Sequence, residues 1–303
     1  MDQPIVKTLI VIAGPTAVGK TAAAIRIAKA LHTEIISADS RQFFREISIG
    51  TAKPSPEELM QVTHHFINSH SIKDEMNAGI YEKEALRLIE HLFQKHDVLV
   101  MTGGSGLYID AVCKGFDELP VKDEELREEL EKKTLEELQA ELEKRDPVYF
   151  EKTDKQNPQR LIRAIEVCRL TGKPFSEFRK SESKPRSFRV VKIGLDLDRK
   201  ILYNRINKRV DMMIENGLIH EVKTFRHLRH LNALQTVGYT ELFDYFFDKI
   251  PQEEAIELIK RNTRRFAKRQ LTWFRRDPEM KWFGPEDDEQ MLAYIHPLIA
   301  AKV

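Results

Sequence analysis

The stretch Gly14-Pro15-Thr16-Ala17-Val18-Gly19-Lys20-Thr21 constrains this chain more than any other. It has the form G-x-x-x-x-G-K-[ST]; the apolar run Leu9-Ile10-Val11-Ile12 leads into it and an alanine-rich helical sequence leads out. A strand, a glycine-bearing loop and a helix in that order make a phosphate-binding P-loop. The loop from Gly14 through Pro15, Thr16, Ala17 and Val18 to Gly19 can curl so that successive N–H groups converge on phosphate oxygens. The N-terminus of the following helix adds its positive dipole end. Lys20 supplies a point charge to the terminal phosphates, and the Thr21 hydroxyl is a ligand for Mg²⁺. Such a loop leaves the chemistry open, because kinases, nucleoside triphosphatases and diphosphate-using transferases all share it.

The 303 residues suit roughly two domains of ~150 residues. Composition, 41% apolar and 32% charged, is that of a soluble globular protein. No window approaches the ~20 apolar residues of a membrane span, and no basic-then-apolar leader opens the chain. A cytoplasmic protein without membrane contact is the expectation. Cys113 and Cys168 are too far apart for a C-x-x-C site and too few for a disulfide framework, so both are expected as buried thiols.

Residues 8–14 read as a central parallel strand and 20–31 as its helix. A second strand, Glu34 to Ala38, ends at Asp39-Ser40-Arg41-Gln42. Ligands of open parallel sheets sit beyond the carboxyl ends of the strands. Asp39 therefore belongs near Lys20 if the two strands lie side by side; a turn or helix-capping aspartate is the other reading. Ile49 to Pro54 is a loop, and Pro56 opens a short helix. His64 and His65 have no third metal ligand at sensible spacing, which favours packing or surface roles. After an amphipathic helix over 80–95, a strand at 96–101 runs into Thr102-Gly103-Gly104-Ser105-Gly106. Many P-loop enzymes place a magnesium-binding aspartate there; glycines and hydroxyls instead argue against ATP hydrolysis.

Past residue 120 the character changes. Between Lys122 and Arg145 stand ten acidic and six basic side chains, with leucines at helical spacing. Thr134 and Glu137 form a capping box that divides this stretch into two short helices. Asn157 and Pro158 start another helix. Its Leu161, Ile165 and Cys168 face inward, with Arg160 and Arg163 together on another, exposed face. Residues 179–189 read as a basic linker, and 189–195 as a returning strand. The fold class is α/β: a P-loop core with a mainly parallel sheet flanked by helices over 1–115 and 188–303, plus an inserted all-helical domain over 116–187. Arg205 and Arg209 share a face of the next helix. The last long helix, 252–275, is expected to bury Ile256, Ile259, Phe266 and Phe274. Residues 260–276 hold eight basic side chains and no acid, which is either a solvated face or a surface for a diphosphate or polyanion.

Several stretches together resemble one family, the tRNA dimethylallyltransferases. These are GPTAVGKT at 14–21, ISADSRQ at 36–42, IGTAKP at 49–54, TGGSGLYI at 102–109, NPQRLIRAIEV at 157–167, VGYTEL at 237–242 and TRRFAKRQLTWFRRD at 263–277. Ser105 stands where the family usually has threonine, and two cysteines leave no ligands for the zinc-finger extension of some relatives. The resemblance implies transfer of a dimethylallyl group from dimethylallyl diphosphate to the N6 amine of the adenosine 3′ to the anticodon, releasing diphosphate. Gly14 to Thr21 would cradle the diphosphate with Mg²⁺. Thr16, Lys20, Arg205 and Arg209 would stabilise the departing charge, and Asp39 would act as general base. Asp39, Ser40, Arg41, Gln42, Ser105, Arg127, Gln159, Arg160, Leu161, Ile162, Arg163, Gln235, Thr236, Val237, Gly238, Tyr239 and Thr240 would line the tRNA contact. The insertion would grip the anticodon stem-loop, and the chain would act as a monomer.

Three other functions compete. A small-molecule P-loop kinase has no use for the insertion or the basic helix. An adenylate isopentenyltransferase, with the same chemistry on a free nucleotide, leaves the insertion and its Arg160/Arg163 pair unexplained. A non-catalytic RNA-binding module leaves Lys20, Thr21 and Asp39 without a task.

Overall fold

The computed structural model describes residues 6–117, 119–179 and 183–300. The chain runs β1 (Thr8–Ala13), α1 (Lys20–Ala30), β2 (Ile35–Ser37), α2 (Pro56–Leu59), β3 (His64–His65), α3 (Ala78–Leu92), β4 (Val98–Gly103) and α4 (Gly106–Lys114). Helices α5 (Glu124–Glu131), α6 (Leu135–Arg145), α7 (Pro147–Lys152), α8 (Pro158–Thr171) and α9 (Phe175–Phe178) follow. Then come β5 (Arg189–Leu195), α10 (Arg199–Glu215), α11 (Leu218–Thr224), α12 (Tyr239–Phe246), α13 (Gln252–Phe274), β6 (Lys281–Phe283) and α14 (Asp288–Ala300). They form two compact units, one of 1–113 with 186–303 and the other Lys114–Pro185.

In the larger unit six strands form one parallel sheet in the order β3-β2-β4-β1-β5-β6. All six residues of β1 are buried, as a central strand covered on both faces requires. Alternation sends Ile10 and Ile12 to the side of α1, α10 and α14, where they meet Ala24, Ile27, Leu202, Ile206 and Met291. Leu9, Val11 and Ala13 point to the other side, against Tyr81, Ala85 and Ile89 of α3 and Val112 of α4. A further cluster, with Leu218, Leu234, Tyr239, Leu242 and Ile259, fills the α10–α13 subdomain.

β4 lies between β1 and β2, so the two strands preceding the P-loop and Asp39 are not neighbours. What brings their ends together is close backbone approach: a Cβ on Gly103 would stand 2.3 Å from the Ala38 carbonyl oxygen. The two histidines form the two-residue edge strand. His65 Nε2 meets Glu34 at 2.6 Å, and His64 Nδ1 meets the Val62 carbonyl at 2.8 Å.

Two expectations need correction, and a third is only partly covered. Phe266 is 38% exposed rather than buried; α13 instead buries Ala255, Ile259, Ala267, Gln270 and Phe274. Helix α13 is also not the last long helix, because β6 joins the sheet edge beside β5 and α14 packs on α1 and β5. The linker reading falls in part on residues 180–182, which lie outside the described residues.

In the smaller unit α5, α6 and α8 enclose Leu130, Leu138, Leu142, Leu161, Ile162, Ile165 and Cys168. Thr134 closes its capping box with Glu137. Asn157 accepts from the Arg160 N–H at the start of α8, and Gly172 ends that helix at φ 68°. Two of this unit's carboxylates, the half-buried Glu141 and the buried Glu166, cross-link its helices. Glu141 binds Lys133, Arg145 and Arg169, whose hydrogen bonds hold its pKa down to about 2. Glu166, fully buried, accepts from Arg163 Nη1 at 2.7 Å and from the Asp123 N–H at 3.0 Å.

Candidate active site

Beyond the carboxyl ends of β1, β2 and β4 lies a cleft of about 880 Å³, formed wholly by the larger unit. One end is the P-loop. Gly19 takes φ 113° and Ala17 φ 65°, left-handed conformations that turn successive N–H groups to one side. Gly19 caps α1 without a side-chain hydrogen bond, in contrast to the Asn77 and Asp198 side chains that cap α3 and α10. The first amides of α1 thus remain for an anion. Lys20 Nζ donates to the Pro15 carbonyl at 2.8 Å. Burial lowers its pKa to about 8; the Asp39 carboxylate opposes that shift and Arg209 adds to it.

Asp39 lines the same cleft. Its Oδ1 also accepts the Arg41 N–H at 3.0 Å, so one side chain serves both as a turn aspartate and as a cleft carboxylate. Ser40 and Ser105 face each other: the Ser40 N–H donates to Ser105 Oγ at 3.0 Å, and the two hydroxyls lie 3.1 Å apart. Gln42 Nε2 donates to the Ala52 carbonyl at 3.0 Å, fixing the loop after β2. Arg41, whose pKa burial lowers, donates to the carbonyls of Asn232 and Gln235. That ties Asp39 to the segment where Gln235, Thr236, Val237, Gly238 and Thr240 line the wall.

The two α10 arginines part company. Arg209 lines the cleft, and burial lowers its pKa. Arg205 does not line it; Arg205 Nη1 donates to the Val18 carbonyl at 3.2 Å and braces the P-loop from behind. Of the two arginines expected to serve a leaving group between them, Arg209 is therefore the one whose side chain faces the cleft. Ile206, Val210, Met213, Ile259 and Phe266 also line the cleft and give it an apolar wall.

Three expected RNA-contact residues are misplaced by their block assignment. Leu161 and Ile162 belong to the core of the smaller unit. Tyr239 is fully buried, and its hydroxyl donates to Glu221 Oε1 at 2.5 Å. Helical periodicity turns these side chains inward even though exposed residues flank them in sequence. The expectation of a shared exposed face for Arg160 and Arg163 also needs correction. Arg160 is exposed, whereas Arg163 is committed to Glu166 and the Pro120 carbonyl. Arg127 bonds Gln159 at 2.9 Å and leans toward Glu166.

The basic run divides likewise. Lys260 pairs with Asp211 and Glu257, Arg264 with Asn207, and Arg275 with Asp196. Arg269 lines the cleft, while Arg261, Arg265 and Lys268 are exposed.

Sequence reasoning missed four contributors. Glu221 accepts the N–H groups of Ser48, Ile49 and Gly50 at 2.9–3.0 Å and so shapes the 49–54 loop. Lys53, in that loop, donates to the Phe44 carbonyl and Asn68, and burial lowers its pKa to about 8. Gln270 is a buried amide that touches the P-loop. Thr102 Oγ1 donates to the Ile12 carbonyl at 3.1 Å, locking β4 to β1. A polar residue on an otherwise apolar helix face was the available signal for Gln270.

Among the described residues no group of three or more His, Cys, Asp or Glu could hold a metal. Thr21 lines the cleft beside Lys20. Mg²⁺ bound through substrate phosphates keeps several waters and needs only one or two protein oxygens, so this donor set fits a metal that arrives with a diphosphate.

The fold and cleft define a P-loop α/β protein in which a phosphate-binding loop, a carboxylate and apolar side chains line one cleft. The IPP transferase family profile matches residues 42–277. A tRNA dimethylallyltransferase of Christiangramia forsetii is 52% identical over 296 residues, covering 96% of this chain and 98% of that protein. One from Flavobacterium johnsoniae is 50% identical, over 95% and 97% of the two chains. The crystal structure of the tRNA isopentenylpyrophosphate transferase of Bacillus halodurans superimposes with a TM-score of 0.72 at 38% identity, covering 98% of this chain and 96% of that one. A eukaryotic dimethylallyltransferase solved acting on tRNA gives a TM-score of 0.82 at 25% identity, over 97% and 80%. The chain belongs to the IPP transferase family.

Proposed function

We propose that this protein transfers the dimethylallyl group of dimethylallyl diphosphate to the N6 amine of the adenosine 3′ to the anticodon in tRNA, releasing diphosphate. The observation that carries the reading is the meeting of Lys20, Thr21 and Arg209 with Asp39 and an apolar wall in one cleft. The diphosphate lies on the P-loop amides, with its five-carbon tail against Ile206, Val210, Ile259 and Phe266. The C1–O bond to diphosphate breaks and a bond from the adenine N6 to C1 forms. Asp39 takes the N6 proton, while Lys20 and Arg209 stabilise the charge that grows on the leaving oxygen. Bound through Thr21, Mg²⁺ would add Lewis-acid stabilisation of that charge. The acceptor amine is weakly nucleophilic, so orientation by the walls around Asp39 and 235–240 matters as much as basicity. The target base leaves its stack to reach the cleft. The helical unit, with Gln159 and Arg160 exposed on α8, supplies contacts to the anticodon stem-loop.

β4 ends at Thr102-Gly103 without an acid, which disfavours a kinase. Mass spectrometry tests the assignment. Purified protein with Mg²⁺, dimethylallyl diphosphate and an anticodon stem-loop should add one dimethylallyl group to one adenosine, without ATP, and should leave free AMP unmodified. ATP turnover with unmodified RNA would overturn it, and prenylated AMP with untouched RNA would assign the nucleotide reaction instead.

A further inference from the structure

Gln270 sits on α13, far in sequence from both ends of the reaction, yet it is 6% exposed at the floor of the cleft. Its Oε1 accepts the Thr16 N–H of the P-loop at 2.8 Å. Its Nε2 donates to the Gly104 carbonyl at 2.8 Å. A Cβ on Gly104 would stand 2.3 Å from Gln270 Nε2, so the glycine there is what allows the amide to reach the backbone. One turn further along α13, Trp273 covers Gly106 just as closely, and its Nε1 donates to Asp110 at 2.9 Å. Two residues on one face of a long helix thus hold the segment from 104 to 110. The next residue after Gly104 is Ser105, whose hydroxyl is bonded to Ser40, the neighbour of Asp39. Hydrogen bonds and the peptide links at 104–105 and 39–40 therefore join the diphosphate loop, through Gln270 and the glycine loop, to the loop that carries the carboxylate.

We infer that Gln270 is a positioning residue that keeps the diphosphate-binding loop in register with the Asp39 loop. The inference rests on the transfer reaction proposed above. An amide suits the task because one planar group both accepts and donates. A buried amide with both bonds made has a fixed orientation, and its partners, a backbone N–H and a backbone carbonyl, cannot swing away as side chains can. The consequence is geometric: removing the amide lets two loops drift, and misplacement of about 1 Å costs on the order of 10²-fold in rate.

The test compares Gln270→Met, which keeps volume and loses both bonds, with Ser105→Ala, which cuts the chain one link further on and carries the test if the first variant folds poorly. Single-turnover transfer on saturating RNA should fall about 10–100-fold in each, with the dissociation constant for dimethylallyl diphosphate changing less than about threefold. The double variant should fall no further than the worse single one, as members of one linkage do. Ser105→Thr, which restores the hydroxyl, should recover the rate. A second readout needs no turnover: inorganic diphosphate should slow amide hydrogen exchange at 38–42 in wild type and fail to do so in Gln270→Met. Failure of wild-type transfer with this exchange response intact would refute the reaction and leave the positioning role standing. A variant that keeps both the exchange response and the rate, or whose rate loss is matched by weaker diphosphate binding, overturns the role.

Discussion

At Lys20 a single ammonium holds two opposed demands. Burial in the cleft lowers its pKa from 10.5 to about 8, because the charged form loses water. Between these two values the unfolded chain binds the proton and the folded one releases it, so stability rises with pH across that window. Below about 8 the buried charge is borne at a cost. A diphosphate supplies the missing counter-charge and moves the pKa back up, so binding takes up a proton and affinity falls as pH rises above about 8. Calorimetric titration with dimethylallyl diphosphate in buffers of different ionisation enthalpy should show uptake in wild type that Lys20→Met lacks. Equal proton uptake in the two proteins would contradict it. The P-loop and Asp39 were legible at this scale because a motif names each position. Gln270, Glu221 and the burial of Tyr239 were not, because each depends on a partner a long way off in sequence.

At the scale of the element, helix periodicity was legible and helix partnership was not. Arg205 and Arg209 share a face of α10, yet only Arg209 reaches the cleft, while Arg205 supports the Val18 carbonyl. Losing Arg209 should remove stabilisation of a charge that grows in the transition state. Arg209→Ala is therefore expected to lower single-turnover transfer by about 10²–10³-fold. Arg205→Ala should cost about tenfold or less, mainly as weaker diphosphate binding. Rapid-quench kinetics and equilibrium binding on the two variants check this; a larger rate loss from Arg205→Ala would reverse the assignment. The eight positives of 260–276 looked uncompensated because the run itself holds no acid. Asp211, Glu257 and Asp196, from outside that run, pair with two of its side chains, Lys260 and Arg275. In α8, the regular spacing that placed Leu161, Ile165 and Cys168 inward also puts Ile162 in the core. Motif matching in blocks overlooked that.

Over the whole molecule, the α/β class and the helical insertion could be read from the order of apolar runs and the change in charge pattern after residue 120. Strand order could not. Parallel pairing is fixed by crossovers and by which faces the helices cover, and β4 enters between β1 and β2 although it follows both. β6, three residues long, and α14 beyond it lay outside every recognised motif. That order nonetheless brings the carboxyl ends of β1, β4 and β2 together, so that a phosphate loop and an aspartate from different crossovers share one cleft. The central claim is that this shared cleft performs the transfer with Asp39 as the base. Its most direct measurement is single-turnover transfer by Asp39→Ala beside wild type, with both substrates saturating and their dissociation constants determined separately. The predicted result is wild-type affinity for RNA and dimethylallyl diphosphate with transfer slowed about 10²–10⁴-fold. A near-wild-type rate, or a loss fully accounted for by weaker binding, would contradict it.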